Sequence, residues 1–563
     1  MKLPVILLAL ILGELVCSEE EDAPRVRTPL GRIKGYHKVS QHGRLYRAFE
    51  GIPYALPPVG KLRFKPPQRI PAWPGELLAT KFGSMCLQYS HFPDSENRRV
   101  FGAEDCLYLN VYAPVKDDYE QLLPVIIWIH GGAFQYGCDH YTGAKYLLDR
   151  DVILVTINYR LGPFGFLSTE DEVIPGNNGL KDQSMALRWV SENIEWFGGD
   201  PKRVTLTGLS AGGVSVHYHY LSPLSAGLFQ GGISFSGTSF TCWAQTENSA
   251  EKAKKLGALM GCPTSTTKEM VRCLRYRPAQ SIVEAEKEFM PWLYNPFTPF
   301  GPVVEKVGDA PFIDRSPVEI VSSGSVQDVP WVTGVVSEEG LYPVAEFAAD
   351  RRLLKELEDN WETIAPHLLD FNYTVPRSKH VETARAIKKH YFGSKPIDRL
   401  TVKQLIQMVG DRLFVTSAEE AARKQAEANQ SPVWFYYYTY RGAHSLSEAM
   451  SHTKENFGVS HADDAYYVLD NPFVDPTTTP EDRDIQESLI DFWVSFATKK
   501  VPTLGVEWPE LDPSQTILQY LHIAGPGKFK MESNQNLGEK SFWSSIDFNE
   551  NKLEKSKSAK DEL

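Results

Sequence analysis

The stretch TLTGLSAGGVSV (Thr205–Val216) sets Ser210 between Gly208 and Gly212. Gly-x-Ser-x-Gly alone is weak evidence, because three fixed residues in five recur by chance in a glycine-containing chain of this length. Its flanks carry the argument. Upstream, RVTLTGL (Arg203–Leu209) is short, apolar and β-branched, as a strand covered on both faces should be. Downstream, AGGVSVHYHYL can begin a helix. A serine on a sharp strand-to-helix turn is the nucleophile-elbow arrangement, in which small neighbours keep the strained turn clear of adjoining strands. The reading predicts that Ser210 is a nucleophile.

The same pattern extends both ways along the chain. PVIIWIH (124–130), VILVTINY (152–159), WVTGVV (331–336) and VWFYYYTY (433–440) read as further buried strands. Between two of them, LKDQSMALRWVSENIEWFGGD has apolar residues at helical spacing and ends at Gly198 and Gly199. Strand, helix, strand implies a parallel sheet with crossovers. The expected class is therefore α/β: a large, mostly parallel central sheet flanked by helices. Long segments at 240–325 and 345–430 read as helical insertions forming a lid and gorge on one domain, residues 19–548. A last helix is expected after Pro480, and a charged, flexible tail over 549–563.

A nucleophilic serine needs a base, and the base an acid that fixes its tautomer. In this architecture the order is serine, acid, histidine. Three histidines lie in the segment just after the strand at 433–440: His444, His452 and His461. Glu338 and Glu339 follow the strand at 331–336, at the sheet edge where open α/β sheets bind ligands. Spacing alone does not choose within either group. Backbone donors for a developing oxyanion are expected from WIHGGAFQYG and from the residue after the nucleophile, which gives Gly132, Ala133 and Ala211. Phe134, Tyr136, Trp292, Phe297 and Phe300 are aromatic candidates for the gorge, although aromatics at this density more often fill a core. His217 and His219 make a poor metal pair, since residues two apart on a helix do not share a face. No His-Glu-x-x-His set is present, and the expected chemistry needs neither metal nor organic cofactor.

Composition sets the surroundings. A net charge of −12 on 563 residues argues against nucleic acid, which needs a cationic face. The N-terminus carries one lysine, an apolar run from Leu3 to Leu12 and small residues before three glutamates, as in a cleaved secretory signal over 1–18 rather than an integral membrane span. The chain closes on Lys-Asp-Glu-Leu (Lys560–Leu563), the address read by the retrieval receptor of the endoplasmic reticulum. Seven cysteines less Cys17 of the signal leave six, in keeping with an oxidising compartment. Asn372-Tyr-Thr and Asn429-Gln-Ser are glycosylation sequons, the second followed by Pro432 and the poorer of the two.

FEGIPYALPPVGKLRFKPPQ, EDCLYLNVY, INYRLGPFGFL, GNNGLKDQSMALRWV, FGGDPKRVTLTGLSAGG and GVSHADD occur in one order. With these blocks the chain resembles the type-B carboxylesterase and cholinesterase family of α/β-hydrolases, over about residues 25–542, and looks most like its insect-type carboxylesterases. The resemblance implies an ester hydrolase with a Ser-His-Glu triad acting on a small-molecule ester. It selects His461, whose block is Gly-x-x-His, and Glu339, which directly precedes Gly340. It also implies disulfides Cys86–Cys106 and Cys262–Cys273, leaving Cys138 and Cys242 unassigned, and structural ion pairs Arg63–Glu104 and Arg160–Asp182. Two departures bear on substrate. The first disulfide loop lacks tryptophan and Leu209 stands where cholinesterases carry glutamate, features they use for a quaternary ammonium. Juvenile hormone esterases typically have glutamine at the position of Leu209, so a general carboxylesterase is expected over the hormone esterase. A non-catalytic interaction protein of the same fold is the alternative from another class. Ala133, where many relatives carry glycine, keeps its N–H but adds a methyl group.

Overall fold

A computed structural model describes residues 23–92, 96–116 and 121–550. The expected signal segment and the terminal Lys560–Leu563 lie outside the described residues.

Eleven strands form the central sheet: β1 Tyr36–Val39, β2 Leu45–Pro53, β3 Tyr108–Pro114, β4 Leu123–Ile129, β5 Ile153–Ile157, β6 Gly199–Leu209, β7 Gly232–Phe235, β8 Trp331–Val336, β9 Val433–Tyr438, β10 Leu518–Ile523 and β11 Phe529–Asn534. Their order is β11-β10-β9-β8-β7-β6-β4-β5-β3-β2-β1. From β10 to β5 neighbours pair in parallel, and the sheet is antiparallel at both ends. The expected strands lie in the parallel block, where every residue of β4, β5 and β8 is buried.

Alternation assigns the two faces. Val125, Ile127 and Ile129 of β4 enter one core, and Ile126 and Trp128 enter the other. The first is shared with Val214, Val216 and Tyr218 of the helix Ala211–Leu221. The second is shared with the helix Pro480–Lys499, whose Trp493 stacks on Trp128 at 5.8 Å and on Phe235 at 5.2 Å. Burying each such side chain contributes about 2–3 kcal/mol, so the strands are clamped from both sides and their C-terminal ends become a fixed platform.

The insertions are helical. Four α-helices lie between β7 and β8, and six between β8 and β9. The last two, Val402–Gly410 and Thr416–Ala428, are joined by a π-helical turn over Asp411–Val415. Asn549 and Glu550, the first two residues of the expected tail, are held: their backbone amides donate to Thr374 Oγ1 at 2.7 and 3.1 Å, and Glu550 pairs with Arg412 at 2.6 Å. Both disulfides are present, as are the ion pairs Arg63–Glu104 and Arg160–Asp182, each closed by two hydrogen bonds of 2.5–2.7 Å. Among the described residues no helix is long and apolar enough to cross a membrane.

Candidate active site

Strand β6 ends at Leu209 and the next helix starts at Ala211, so Ser210 alone makes the turn. Its backbone sits at φ 57°, ψ −123°, a sparsely populated region that costs of order 1–3 kcal/mol and persists only where its surroundings enforce it. They do so here: Ser210 N donates to Phe235 O at 2.8 Å, and Ser210 O accepts from Val214 N at 2.8 Å. The neighbouring Gly212 is steric. A Cβ there would lie 2.0 Å from the carbonyl oxygen of Ile129, the last residue of β4.

Strand β8 stops at Val336, and Glu339 follows three residues on, wholly buried. One of its carboxylate oxygens accepts from Val336 N at 2.9 Å, and the other lies 2.6 Å from His461 Nδ1. His461, 4 % exposed, is held between the rings of Phe414 at 4.6 Å and Tyr342 at 5.5 Å. Ser210 and His461 line one cavity of about 90 Å³. The Ser210 hydroxyl has no hydrogen bond among the described residues, and in unliganded sites such contacts often tighten only with substrate.

Glu338 has a different place. Its Oε2 accepts from Val459 N at 2.7 Å and from Ser337 Oγ at 2.5 Å, while Glu338 N donates to Val459 O at 3.2 Å. It braces the loop that carries His461. Gly458 lets the carboxylate in: its φ is +120°, and an added Cβ would lie 2.5 Å from Glu338 Cδ. Of the other histidines, His444 faces Glu448 at 3.5 Å and His452 caps the helix Leu446–Ser451; neither lines the cavity.

After β4, the His130–Gly137 loop turns on Gly132 O, which accepts from Gln135 N and Tyr136 N at 2.9 and 3.0 Å. The amides of Gly132, Ala133 and Ala211 donate to no acceptor among the described residues. For Ala211 that follows from its place in the first helical turn. Gly131, part of that loop but not one of the expected donors, also lines the cavity, and a Cβ on it would lie 3.1 Å from Ser210 Cβ.

Of the five aromatics considered for the gorge, Tyr136 lines the cavity. The others are core: Phe134 packs on Phe166, Trp292 on Phe347, Phe297 on Trp243 and Phe300 on Phe289. Phe92, Tyr342, Tyr466 and Phe473, absent from the sequence reading, supply the aromatic wall instead, next to the buried free thiol of Cys138. Burial pushes that thiol well above its ordinary range, which keeps it a protonated, inert neighbour. Cys242 is the other buried free thiol among the described residues. His217 stacks on Trp331 and faces Gln425, and His219 faces Gln183 and Ser225; each has its own partners. A larger hollow of about 620 Å³ beside Arg412 and Trp543 contains no serine–histidine–carboxylate set, so size does not locate the chemistry. In the sequons, the Asn429 side chain is bonded to Gln425 and Val329, and Thr374, two residues after Asn372, is buried.

Residues 22–543 match the model of the carboxylesterase family. Venom carboxylesterase-6 of Apis mellifera is 53 % identical over 95 % of this chain and 96 % of its own. A carboxylic ester hydrolase of Bombus ignitus is 53 % identical over 98 % and 99 %. The crystal structure of juvenile hormone esterase from Manduca sexta, with OTFP covalently attached, superposes with a TM-score of 0.81 at 28 % identity, over 93 % of this chain and 99 % of that one. The family match over residues 22–543, with relatives 53 % identical along nearly the whole chain, places the protein in the carboxylesterase family.

Proposed function

We propose that this carboxylesterase-family enzyme hydrolyses lipophilic or xenobiotic carboxylic esters through Ser210, His461 and Glu339. Ser210 Oγ attacks the ester carbonyl while His461 Nε2 takes its proton. Glu339, on the opposite ring nitrogen, holds the tautomer and stabilises the imidazolium. The amides of Gly132, Ala133 and Ala211 receive the oxyanion, each worth about 10²–10³ in rate. His461 then protonates the departing alkoxide, leaving an acyl-enzyme on Ser210. Water, deprotonated by His461, attacks the acyl carbon; the tetrahedral intermediate collapses, and Ser210 regains its proton as the carboxylic acid leaves. The observation that carries the reading is the 2.6 Å contact of the buried Glu339 with His461, which lines the same cavity as Ser210.

Hydrolysis of p-nitrophenyl acetate by the wild type, and its loss in Ser210→Ala, tests the reading; equal rates would leave the non-catalytic alternative. Leu209 favours a general esterase over a hormone esterase, and a panel of juvenile-hormone-like methyl esters and long-chain acyl esters separates the two. The terminal Lys560–Leu563, with the signal-like N-terminus, supports residence in the endoplasmic reticulum lumen through the retrieval receptor. Deleting those four residues should release the protein to the medium.

A further inference from the structure

The cavity wall beside His461 is not uniformly apolar. Tyr136 and Tyr342 both line it, among Phe92, Leu446 and Phe473, and their hydroxyl oxygens are 3.4 Å apart. Behind them His91 Nδ1 lies 2.7 Å from the Tyr342 hydroxyl. His91 is 1 % exposed. Its ring stacks on Tyr294 at 4.5 Å, with planes 13° apart, and lies 4.9 Å from the ring of Tyr136, so the imidazole is held in place. Burial, helped by the nearby charge of Arg99, lowers its pKa to about 3, and the ring is neutral at working pH.

A neutral imidazole and two phenols hold three protons. If the ring proton is on Nδ1, the short bond uses it, and both phenolic O–H groups remain. If it is on Nε2, the Tyr342 O–H points to Nδ1, and the Tyr136 O–H remains. Either way a phenolic donor is left whose protein partner is the other hydroxyl at 3.4 Å, longer than the 2.5–3.0 Å of a good O–H···O bond. A donor under-used in an apolar cavity favours a ligand that brings an acceptor. Its location gives the side of the substrate: the Tyr342 ring is 5.5 Å from that of His461, the group that protonates the departing alkoxide in the mechanism above.

We propose that the Tyr136–Tyr342 hydroxyl pair, braced by His91, is a subsite for an acceptor oxygen in the alcohol half of the substrate, so that alkoxyalkyl and polyol esters are preferred over alkyl esters of equal size. This rests on the esterase reading of the same site.

2-Methoxyethyl acetate and butyl acetate differ by one oxygen in place of a methylene. Their kcat/KM ratio, divided by the ratio of their hydroxide-catalysed rates, isolates the subsite. The wild type should favour the methoxyethyl ester by about fivefold, the worth of one hydrogen bond. Tyr136→Phe and Tyr342→Phe should bring the normalised ratio towards one. His91 is a positioning residue, and His91→Gln should retain more of the preference than His91→Leu. A wild-type ratio of one, or a ratio undiminished in both phenylalanine variants, overturns the subsite while both esters are still hydrolysed. Hydrolysis of neither ester above the Ser210→Ala level overturns the esterase reading and the subsite with it.

Discussion

His461 Nδ1 lies 2.6 Å from Glu339 Oε2, and the second oxygen of that carboxylate is held by Val336 N at 2.9 Å. A carboxylate so fixed can only accept, which puts the imidazole proton on Nδ1 and leaves Nε2 to take a proton from Ser210. Glu339→Gln keeps the shape but can present an N–H to Nδ1, favouring the wrong tautomer. We expect kcat for p-nitrophenyl acetate to fall by about 10⁴ with the unfolding midpoint nearly unchanged. A loss below tenfold would show that Glu339 does not set the tautomer.

Gly458 and Glu338 form a second pair. The Glu338 carboxylate occupies the space where a Gly458 side chain would stand, 2.5 Å from an ideal Cβ, and it holds Val459 N at 2.7 Å. Gly458→Ala should displace the loop and His461 with it, lowering kcat by about 10², since misplacing a catalytic group by an ångström costs that much. Glu338→Ala relieves the clash but removes the brace. The two substitutions should therefore be non-additive in a double-mutant cycle on kcat, with the double variant better than the product of the singles. Strict additivity would mean that the two residues act apart.

How much of this was legible follows from local pattern. β4, β5, β6, β8 and β9 were readable because strands covered on both faces are continuously apolar. The edge strand β11 and its neighbour β10 mix buried or half-buried residues with exposed ones over too few positions for a period to stand out. The antiparallel flank β1–β3 was likewise missed, although part of it lies in the EDCLYLNVY block. At the site, Ser210 was marked by its flanks, but nothing local distinguishes His461 from His444, because its defining contact is with a residue 122 positions away; the family resemblance made that choice. Phe414, on a π turn, breaks the 3.6 period and leaves no sequence signal. Glu338 looked like a spare acid, since the sequence does not reveal that its partner is a backbone amide in another loop.

Gly212 tests the elbow itself. Its Cα faces the Ile129 carbonyl so closely that an alanine Cβ would sit 2.0 Å from the oxygen, and backbone at the centre of a sheet cannot yield cheaply. Gly212→Ala should push the helix Ala211–Leu221 away from β4, moving the Ser210 hydroxyl and the Ala211 amide together. We expect kcat/KM for p-nitrophenyl acetate to drop by more than 10², together with a lower unfolding midpoint. Near-normal kcat/KM would show that the helix can shift without cost to the site.

Asp139 gives a pH dependence with a definite sign. It is 0 % exposed, and burial raises its pKa to about 8 against the opposing hydrogen bonds from Asn110 and Asn158. Asn110 Nδ2 donates to its Oδ2 at 2.8 Å. In the unfolded chain an aspartate ionises near pH 4. Between about pH 4 and 8 the folded protein therefore holds a proton that the unfolded chain has lost, and stability falls as pH rises across that window, by at most about 1.4 kcal/mol per pH unit from this group. Asp139→Asn keeps an acceptor for Asn110 and removes the titration. Other raised acids, such as Asp463 and Asp411 at about 7, act equally in both proteins and cancel in the comparison. From pH 6 to 8 the urea-unfolding free energy of the variant should decline less than that of the wild type, by up to about 2–3 kcal/mol. Parallel pH profiles would mean that the Asp139 carboxyl is already ionised in the folded protein at pH 6, its charge carried by Asn110 and His140, whose Nε2 lies 3.2 Å from Oδ1.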